Sequence, residues 1–122
     1  MNDNMRKCVA ALRSGEFEQG RGQLRRYNSY CCLGVMCEVY RRETGRGEWI
    51  DGWTFEMEDR MANASLPFPV REWVGLRGGS GEYGSKTSLT DRNDAGVSFA
   101  EIADLIESEP AGLLVPEGDG DE

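Results

Sequence analysis

The sequence predicts a small α+β fold, with about four helices packed on a short antiparallel sheet or hairpin. Three observations predict it: an uncharged run typical of a core helix, an Asp-Gly turn between aromatic residues, and a capping box before a periodic apolar face. The chain of 122 residues has the length of one domain. We assign residues 1–115 to a single globular domain and residues 116–122 to a disordered acidic tail, because these last residues are polar, Gly-containing and acidic.

The sequence pattern of the N-terminal region predicts a helix followed by a short strand. Apolar residues recur at helical spacing within residues 3–14, with Asp3 as the candidate N-cap and Gly15 at the end. The loop after this helix leads to a predicted strand near residues 23–27.

A core helix is predicted at residues 29–44, ended by Gly45. Its first half contains residues 30–37, eight residues without a charge, of which three are cysteines. Gly34 lies there in a stripe of small side chains. Because a glycine inside a helix costs about 1 kcal/mol relative to alanine, we expect Gly34 to permit the close approach of another element.

The second half of the chain predicts a hairpin, two helices and a loop. An Asp-Gly turn predicts the hairpin over residues 48–55, and a proline in the first turn predicts a short helix over residues 67–74. Residues 77–88 are rich in Gly and Ser and are predicted to form a loop. The last helix begins at Ser98, which forms a capping box with Glu101.

The net charge of −8 is unevenly distributed along the chain. Residues 1–50 carry nine basic and six acidic side chains, whereas residues 51–122 carry five basic and sixteen acidic ones. This acidic balance disfavours nucleic acid as a partner. Solubility explains the acidic excess, and mimicry of a phosphate backbone is the alternative. No apolar run is long enough for a membrane span and no signal-peptide pattern is present, so we expect a cytoplasmic protein that has no membrane partner.

Histidine is absent, and this absence limits the chemistry that the chain can perform. Ser-His-Asp and Cys-His catalysis as usually built, and most zinc sites, require it. The four cysteines, Cys8, Cys31, Cys32 and Cys37, match no common zinc or CxxC spacing, so we predict buried thiols. We therefore predict no catalytic residue, no metal site and no cofactor.

Two other functions stay open. Asp91, Asp94 and Glu101 could act with Mg²⁺ in a small hydrolase or nuclease. The same segment also fits a structural turn that delivers Ser98 as a helix cap. The other alternative is a structural or assembly accessory without a ligand.

Arginines close to aromatic residues form the candidate ligand site, which comprises Arg21, Arg25, Arg26, Trp49 and Trp53. Arginine supplies forked donors to phosphate or carboxylate, and an aromatic face can stack a base. The site therefore predicts a small anionic, nucleotide-like ligand. The alternative is that these arginines are solvated and the tryptophans belong to the core.

Two signatures resemble those of a widespread family of small bacteriophage and prophage proteins of unknown activity. They are Tyr-Cys-Cys-Leu-Gly-Val-x-Cys at residues 30–37 and Leu-Thr-x-x-Asn-Asp-x-Gly-x-Ser-Phe-x-Glu-Ile-Ala at residues 89–103. The resemblance covers residues 10–107 and implies a phage origin and a place in the bacterial host cytoplasm. It implies no catalytic residue. We expect a non-enzymatic binding module that acts on a host protein or a small anionic ligand during infection, with a homo-oligomer as a further alternative.

Overall fold

Five helices and three small β-sheets build the fold within residues 1–58 and 60–116, the part of the chain that this computed structural model describes. The α+β class is confirmed. The prediction of about four helices on one sheet or hairpin is wrong in detail. A fifth, short helix forms, and the strands divide among three sheets. The predicted acidic tail at residues 116–122 lies outside the described residues, except for Pro116.

The elements follow one another in a mixed order along the chain. The helices are α1 (Asp3–Arg13), α2 (Cys32–Thr44), α3 (Phe68–Val74), α4 (Leu89–Asp94) and α5 (Phe99–Glu107). The first sheet contains β1 (Glu18–Gln19), β2 (Arg25–Arg26) and β3 (Ser29–Tyr30) in the order β1-β3-β2, with β1 parallel to β3. The second contains β4 (Glu48–Ile50), β5 (Thr54–Met57) and β6 (Arg60–Ala62), and the third contains β7 (Glu82–Tyr83) and β8 (Thr87–Ser88). Within the described ranges, no helix has the length and apolar character needed to cross a membrane.

Helix α2 is the centre of the core, and it begins later than predicted. Every residue from Cys32 to Tyr40 is buried. The helix starts at Cys32 rather than Ser29 because residues 29 and 30 pair as strand β3, and Cys31 has an extended backbone and caps the helix. Gly45 ends the helix in the left-handed conformation, as predicted.

Gly34 lies against the backbone of Leu24, which confirms the predicted close approach. A Cβ atom on Gly34 would lie 1.7 Å from the Leu24 carbonyl oxygen. The same oxygen accepts a hydrogen bond of 3.1 Å from the Cys31 backbone N–H. The absence of a side chain at Gly34 therefore allows the segment before β2 to lie directly on the core helix.

The buried side chain of Asn93 joins three parts of the fold. Its Oδ1 accepts hydrogen bonds from Gln19 Nε2 at 2.9 Å and from the Cys32 backbone N–H at 3.2 Å. Its Nδ2 donates to the Gly20 carbonyl oxygen at 2.8 Å. Because all of these groups are polar, their mutual hydrogen bonds offset the cost of burying the amide.

The extra helix, α4, takes up the first part of the turn predicted over residues 91–96, whereas the positive φ of Gly96 (95°) and the delivery of Ser98 as a helix cap are as predicted. Ser88 Oγ caps it by accepting a hydrogen bond from the Asp91 backbone N–H at 3.0 Å, and its Leu89 and Asn93 face the core. The capping box of Ser98 and Glu101 at the start of α5 is confirmed.

Three other local predictions require correction. The N-cap of α1 is Asn2 rather than Asp3, since Asn2 keeps an extended backbone and accepts from the Met5 N–H at 2.7 Å. The hairpin over residues 48–55 is confirmed, but β6 adds a third strand to it. Part of the loop predicted at residues 77–88 forms the hairpin of β7 and β8.

Candidate functional site

The tips of two hairpins meet at the surface beside α2. Tyr27, in the turn between β2 and β3, donates a backbone hydrogen bond of 2.8 Å to the carbonyl oxygen of Gly52, in the turn between β4 and β5. The Tyr27 ring also meets the Trp53 ring edge to face, with centroids 5.7 Å apart. A Cβ atom on Gly52 would lie 2.8 Å from the Tyr27 ring, so the glycine allows this contact.

Tyr27 is both exposed and held in an unusual backbone conformation. Its φ angle is 53°, in the left-handed region, and 63% of its surface is accessible to solvent. A bulky residue in this region costs on the order of 1–3 kcal/mol, and such residues cluster at functional sites. The structure therefore holds a large aromatic side chain in solvent at a conformational cost.

Arg25 lies over two aromatic rings beside this contact. Its guanidinium carbon is 5.1 Å from the centroid of the Tyr30 ring and 5.3 Å from that of Trp49. Its Nε donates a hydrogen bond of 2.6 Å to the Tyr27 carbonyl oxygen. Within the described residues Arg25 makes no ion pair with a carboxylate, so the two Nη groups keep their capacity to donate to an anion.

A buried carboxylate fixes the orientation of Trp49. Glu38 Oε1 accepts a hydrogen bond of 2.9 Å from the indole Nε1, and the same carboxylate accepts two bonds from Arg41 and one from Arg42. Burial raises the pKa of Glu38, but the hydrogen bonds from Arg41, Trp49 and Arg42 outweigh it and hold this pKa below its ordinary value. Glu38 therefore remains charged and anchors the indole ring.

Two nearby arginines of α2 are already paired with carboxylates. Arg41 is paired with Glu38, and Arg42 bridges Glu38 and Glu16. The bonds from Glu16 and Glu38 raise the pKa of Arg42. Arg25, by contrast, has no carboxylate partner among the described residues.

The structure brings together most of the predicted site residues. Arg25 contacts Trp49, and Trp53 joins them through Tyr27. Arg26 follows Arg25 in β2, so its side chain leaves the opposite face of the strand, where it is exposed; it is not part of this group. We call the surface formed by Arg25, Tyr27, Trp49 and Trp53 the tip patch.

Arg21 is not part of the tip patch. Its guanidinium Nη2 atom lies beside Gly96, 3.1 Å from the position that a Cβ atom would occupy there. Gly96 belongs to the loop between α4 and α5, so Arg21 faces that loop although it lies only three positions before Leu24 and four before Arg25. The sequence pattern placed Arg21 with Arg25 and Arg26 because the three are close in sequence. The turn at Gly22, which has a φ of 81°, directs Arg21 away from the other two.

Sequence reasoning missed two residues that shape the tip patch. Tyr27 gave no periodic signal, because it lies in a turn. Glu38 could have been found, since its spacing to Arg41 and Arg42 is the i, i+3 and i, i+4 pattern of helical ion pairs. The link from Glu38 to Trp49 crosses between elements and has no local sequence signature.

The cysteines are buried thiols, as predicted. Burial raises the pKa of Cys8 to about 12 and that of Cys31 to about 11. Burial also raises the pKa values of Cys32 and Cys37. Since the thiolate is the reactive form, these four side chains are poor nucleophiles at neutral pH.

Two of the three acidic residues considered for a hydrolase, Asp94 and Glu101, have structural partners. Glu101 Oε1 accepts hydrogen bonds from the backbone N–H and the hydroxyl of Ser98. Asp94 Oδ1 accepts from the Gly22 backbone N–H at 2.9 Å. Within the described part of the chain, no three cysteine or acidic side chains are grouped as metal ligands.

One family model matches this chain. It is described as a domain of unknown function, DUF8296, and it matches residues 1–110. No curated protein and no solved structure matches the chain.

Proposed function

We propose that this chain, which belongs to the DUF8296 family, is a non-enzymatic binding module that engages a bacterial host protein through the tip patch. The observation that carries the proposal is the exposed Tyr27 side chain, which a strained backbone holds beside Arg25 and Trp53. The phage origin implied by the sequence signatures makes a host protein, met in the cytoplasm during infection, the expected partner.

The composition of the tip patch supports this proposal. Tyrosine, tryptophan and arginine are the residues that most often dominate the binding energy of protein interfaces. Aromatic side chains provide a large contact area with few rotatable bonds, so ordering them on binding costs little conformational entropy. Here the ring contacts and the Glu38 bond order Trp49 before any partner arrives.

The charge of the tip patch indicates which surface it fits. Arg25 lacks an acidic partner among the described residues, whereas the chain as a whole carries a charge of −8. A carboxylate of a partner surface would pair with this guanidinium group, and the net negative charge of the chain would disfavour the approach of that surface to acidic parts of the molecule. Electrostatics would thus direct the partner to this surface.

The arrangement favours a protein partner over a nucleotide. Stacking of a base requires an open aromatic face, but the Arg25 guanidinium already lies over the Tyr30 and Trp49 rings. Tyr27 lies at a hairpin tip, where most of its surface is exposed to solvent. A projecting aromatic residue inserts into a partner surface, as interface anchors do.

Affinity capture from a bacterial lysate tests the proposal. The tagged full chain, the double variant Arg25→Gln/Tyr27→Ala and the control variant Arg60→Gln are compared by quantitative mass spectrometry. Arg60 is an exposed arginine of β6 outside the tip patch. We expect a host protein that the wild type and the control variant retain and that the double variant loses. Direct titration with that protein should show similar affinities for the wild type and the control and a lower affinity for the double variant.

A parallel thermal-shift screen with linear and cyclic nucleotides tests the other ligand class. If a nucleotide stabilises the wild type but not an Arg25 variant, the ligand of the tip patch is a small anion rather than a protein. Capture of the same proteins by all three forms of the chain would contradict the use of the tip patch.

A further inference from the structure

A cleft on another part of the molecule has the features of a peptide-binding groove. It has a volume of about 460 Å³ and lies between α3 and residues 115 and 116. Phe68, Leu76 and Val115 give it an apolar lining. Four large hydrophobic residues are exposed in the described part of the chain, and two of them, Phe68 and Val115, lie here with 47% exposure each. Paired exposed hydrophobic residues in a cleft indicate an interaction site.

Backbone hydrogen bonds join the two chain segments that form the floor of the cleft. Leu76 and Leu114 form an antiparallel bridge, the Val115 N–H donates to the Gly75 carbonyl oxygen at 2.8 Å, and the Arg77 N–H donates to the Leu113 carbonyl oxygen at 3.0 Å. The floor therefore does not have to order on binding, which lowers the entropic cost for a ligand. Its volume is within the range of about 300–1,000 Å³ that is usual for ligand sites.

The charged groups of the cleft favour an anion. The Arg71 guanidinium lies 4.9 Å from the centroid of the Phe68 ring, and Arg77 Nε donates to the Leu114 carbonyl oxygen at 3.0 Å. Neither arginine has an ion-pair partner within residues 1–58 and 60–116. Glu72 is the one carboxylate among the described residues of this lining, so the two guanidinium groups outnumber it there.

The cleft continues beyond the C-terminal segment. A second depression of about 540 Å³ shares Arg77, Val115 and Pro116 with the first; its lining also includes Glu109 and Arg6, which is paired with Asp3. The two depressions together form a groove with apolar side chains in one part and with Arg71 and Arg77 as arginines that have no acidic partner among the described residues. We call this surface the α3 groove.

We propose that the α3 groove binds an extended acidic peptide segment of a partner protein. An apolar side chain of the peptide would pack against Phe68 and Val115, and the carboxylates that follow it would pair with Arg71 and Arg77. Arginine binds carboxylates in a forked geometry, which would set the direction of the peptide. The proposal does not depend on the tip patch, because the two surfaces share no residue.

Nuclear magnetic resonance titration of the full chain tests this proposal. The probe is the hexapeptide Leu-Val-Asp-Glu-Asp-Glu, and the matched control is Leu-Val-Asn-Gln-Asn-Gln, which has the same shape without the charges. We expect saturable shifts of the backbone amides of Leu76, Arg77 and Val115 with the acidic peptide. The double variant Arg71→Gln/Arg77→Gln should weaken binding at least about tenfold, since two charge-assisted contacts are lost.

Control variants separate this site from general electrostatic attraction. Arg60→Gln removes an exposed arginine outside the groove and should leave the affinity unchanged. The unperturbed amide spectrum outside the groove would show that the double variant is folded, and each single variant should give an intermediate affinity.

The proposal would be overturned by the absence of saturable shifts at millimolar peptide, by equal binding of the uncharged peptide, or by shifts confined to the tip patch. Binding that appears only when the four carboxylates at positions 117, 119, 121 and 122 are neutralised in the full chain would also overturn it, because the chain's own tail would then be the occupant.

Discussion

The indole Nε1 of Trp49 donates a hydrogen bond of 2.9 Å to the buried carboxylate of Glu38. This bond connects the core helix to the surface strand that carries the tip patch. Because Glu38 is also held by Arg41 and Arg42, the position of Trp49 is determined by the interior of the protein. The tip patch is thus pre-organised by a buried charge network.

Replacement of Glu38 tests this network. Glu38→Gln removes the charge that Arg41, Arg42 and Trp49 share, and should lower the free energy of unfolding by about 1–3 kcal/mol. The two arginines are nearly half exposed, so water compensates part of the loss. Urea denaturation measures the change, and Glu48→Gln, at an exposed position of β4, is the matched control. Equal stability of both variants would show that the network does not stabilise the fold.

The stabilisation by Glu38 should depend on pH in a defined direction. The pKa of Glu38 in the folded chain is below its ordinary value of about 4.3. The ionised group therefore stabilises the fold fully above that ordinary value, and this contribution is lost as the pH falls through the lowered folded pKa. The stability difference between wild type and Glu38→Gln should shrink as the pH is lowered from 6 to about 3. A difference that stays constant over this range would contradict the assigned pKa direction.

Gly34→Ala distinguishes helix propensity from packing by the sign of its effect. Propensity alone would stabilise α2 by about 1 kcal/mol. The Leu24 carbonyl oxygen occupies the space of the new Cβ atom, so we expect destabilisation by about 3 kcal/mol or failure to fold. Thermal and urea unfolding measure the change, and Ala100→Gly at an exposed position of α5 gives the size of the propensity effect alone. A more stable Gly34→Ala variant would contradict the close approach.

The four cysteines should react with thiol reagents only after unfolding. They are buried, and burial raises the pKa of each thiol, to about 12 for Cys8 and about 11 for Cys31. At pH 8 the native chain should therefore label slowly with a chromogenic disulfide reagent, whereas urea should release four reactive thiols. Rapid labelling of any cysteine in the native chain would show that its site opens readily.

Local patterns in the sequence predicted the elements that local interactions form. The apolar spacing of α1, the capping box of Ser98 and the terminal Gly45 each depend on residues within one or two turns. Gly34 was predictable as a packing site because glycine is unfavourable inside a helix unless space requires it. These features need no knowledge of distant partners.

The features that were not predicted depend on distant partners. The start of α2 moves to Cys32 because Ser29 and Tyr30 pair with strands on both sides, one of them parallel. Only the fold reveals that Arg21 faces the loop at Gly96 whereas Arg25 lies over Trp49. The candidate site was therefore predictable as a group of residue types, but its membership and the roles of Tyr27 and Glu38 were not.

Site-specific photo-crosslinking tests the proposed binding function most directly. A benzophenone amino acid replaces Tyr27 in one form of the full chain and Lys86, an exposed residue between β7 and β8, in another. Irradiation in a bacterial host should yield a discrete crosslinked protein from position 27 that is absent from position 86 and disappears when Arg25→Gln is added. Identical crosslinking profiles at the two positions, or a product at position 27 that persists without Arg25, would contradict the tip patch as the binding surface.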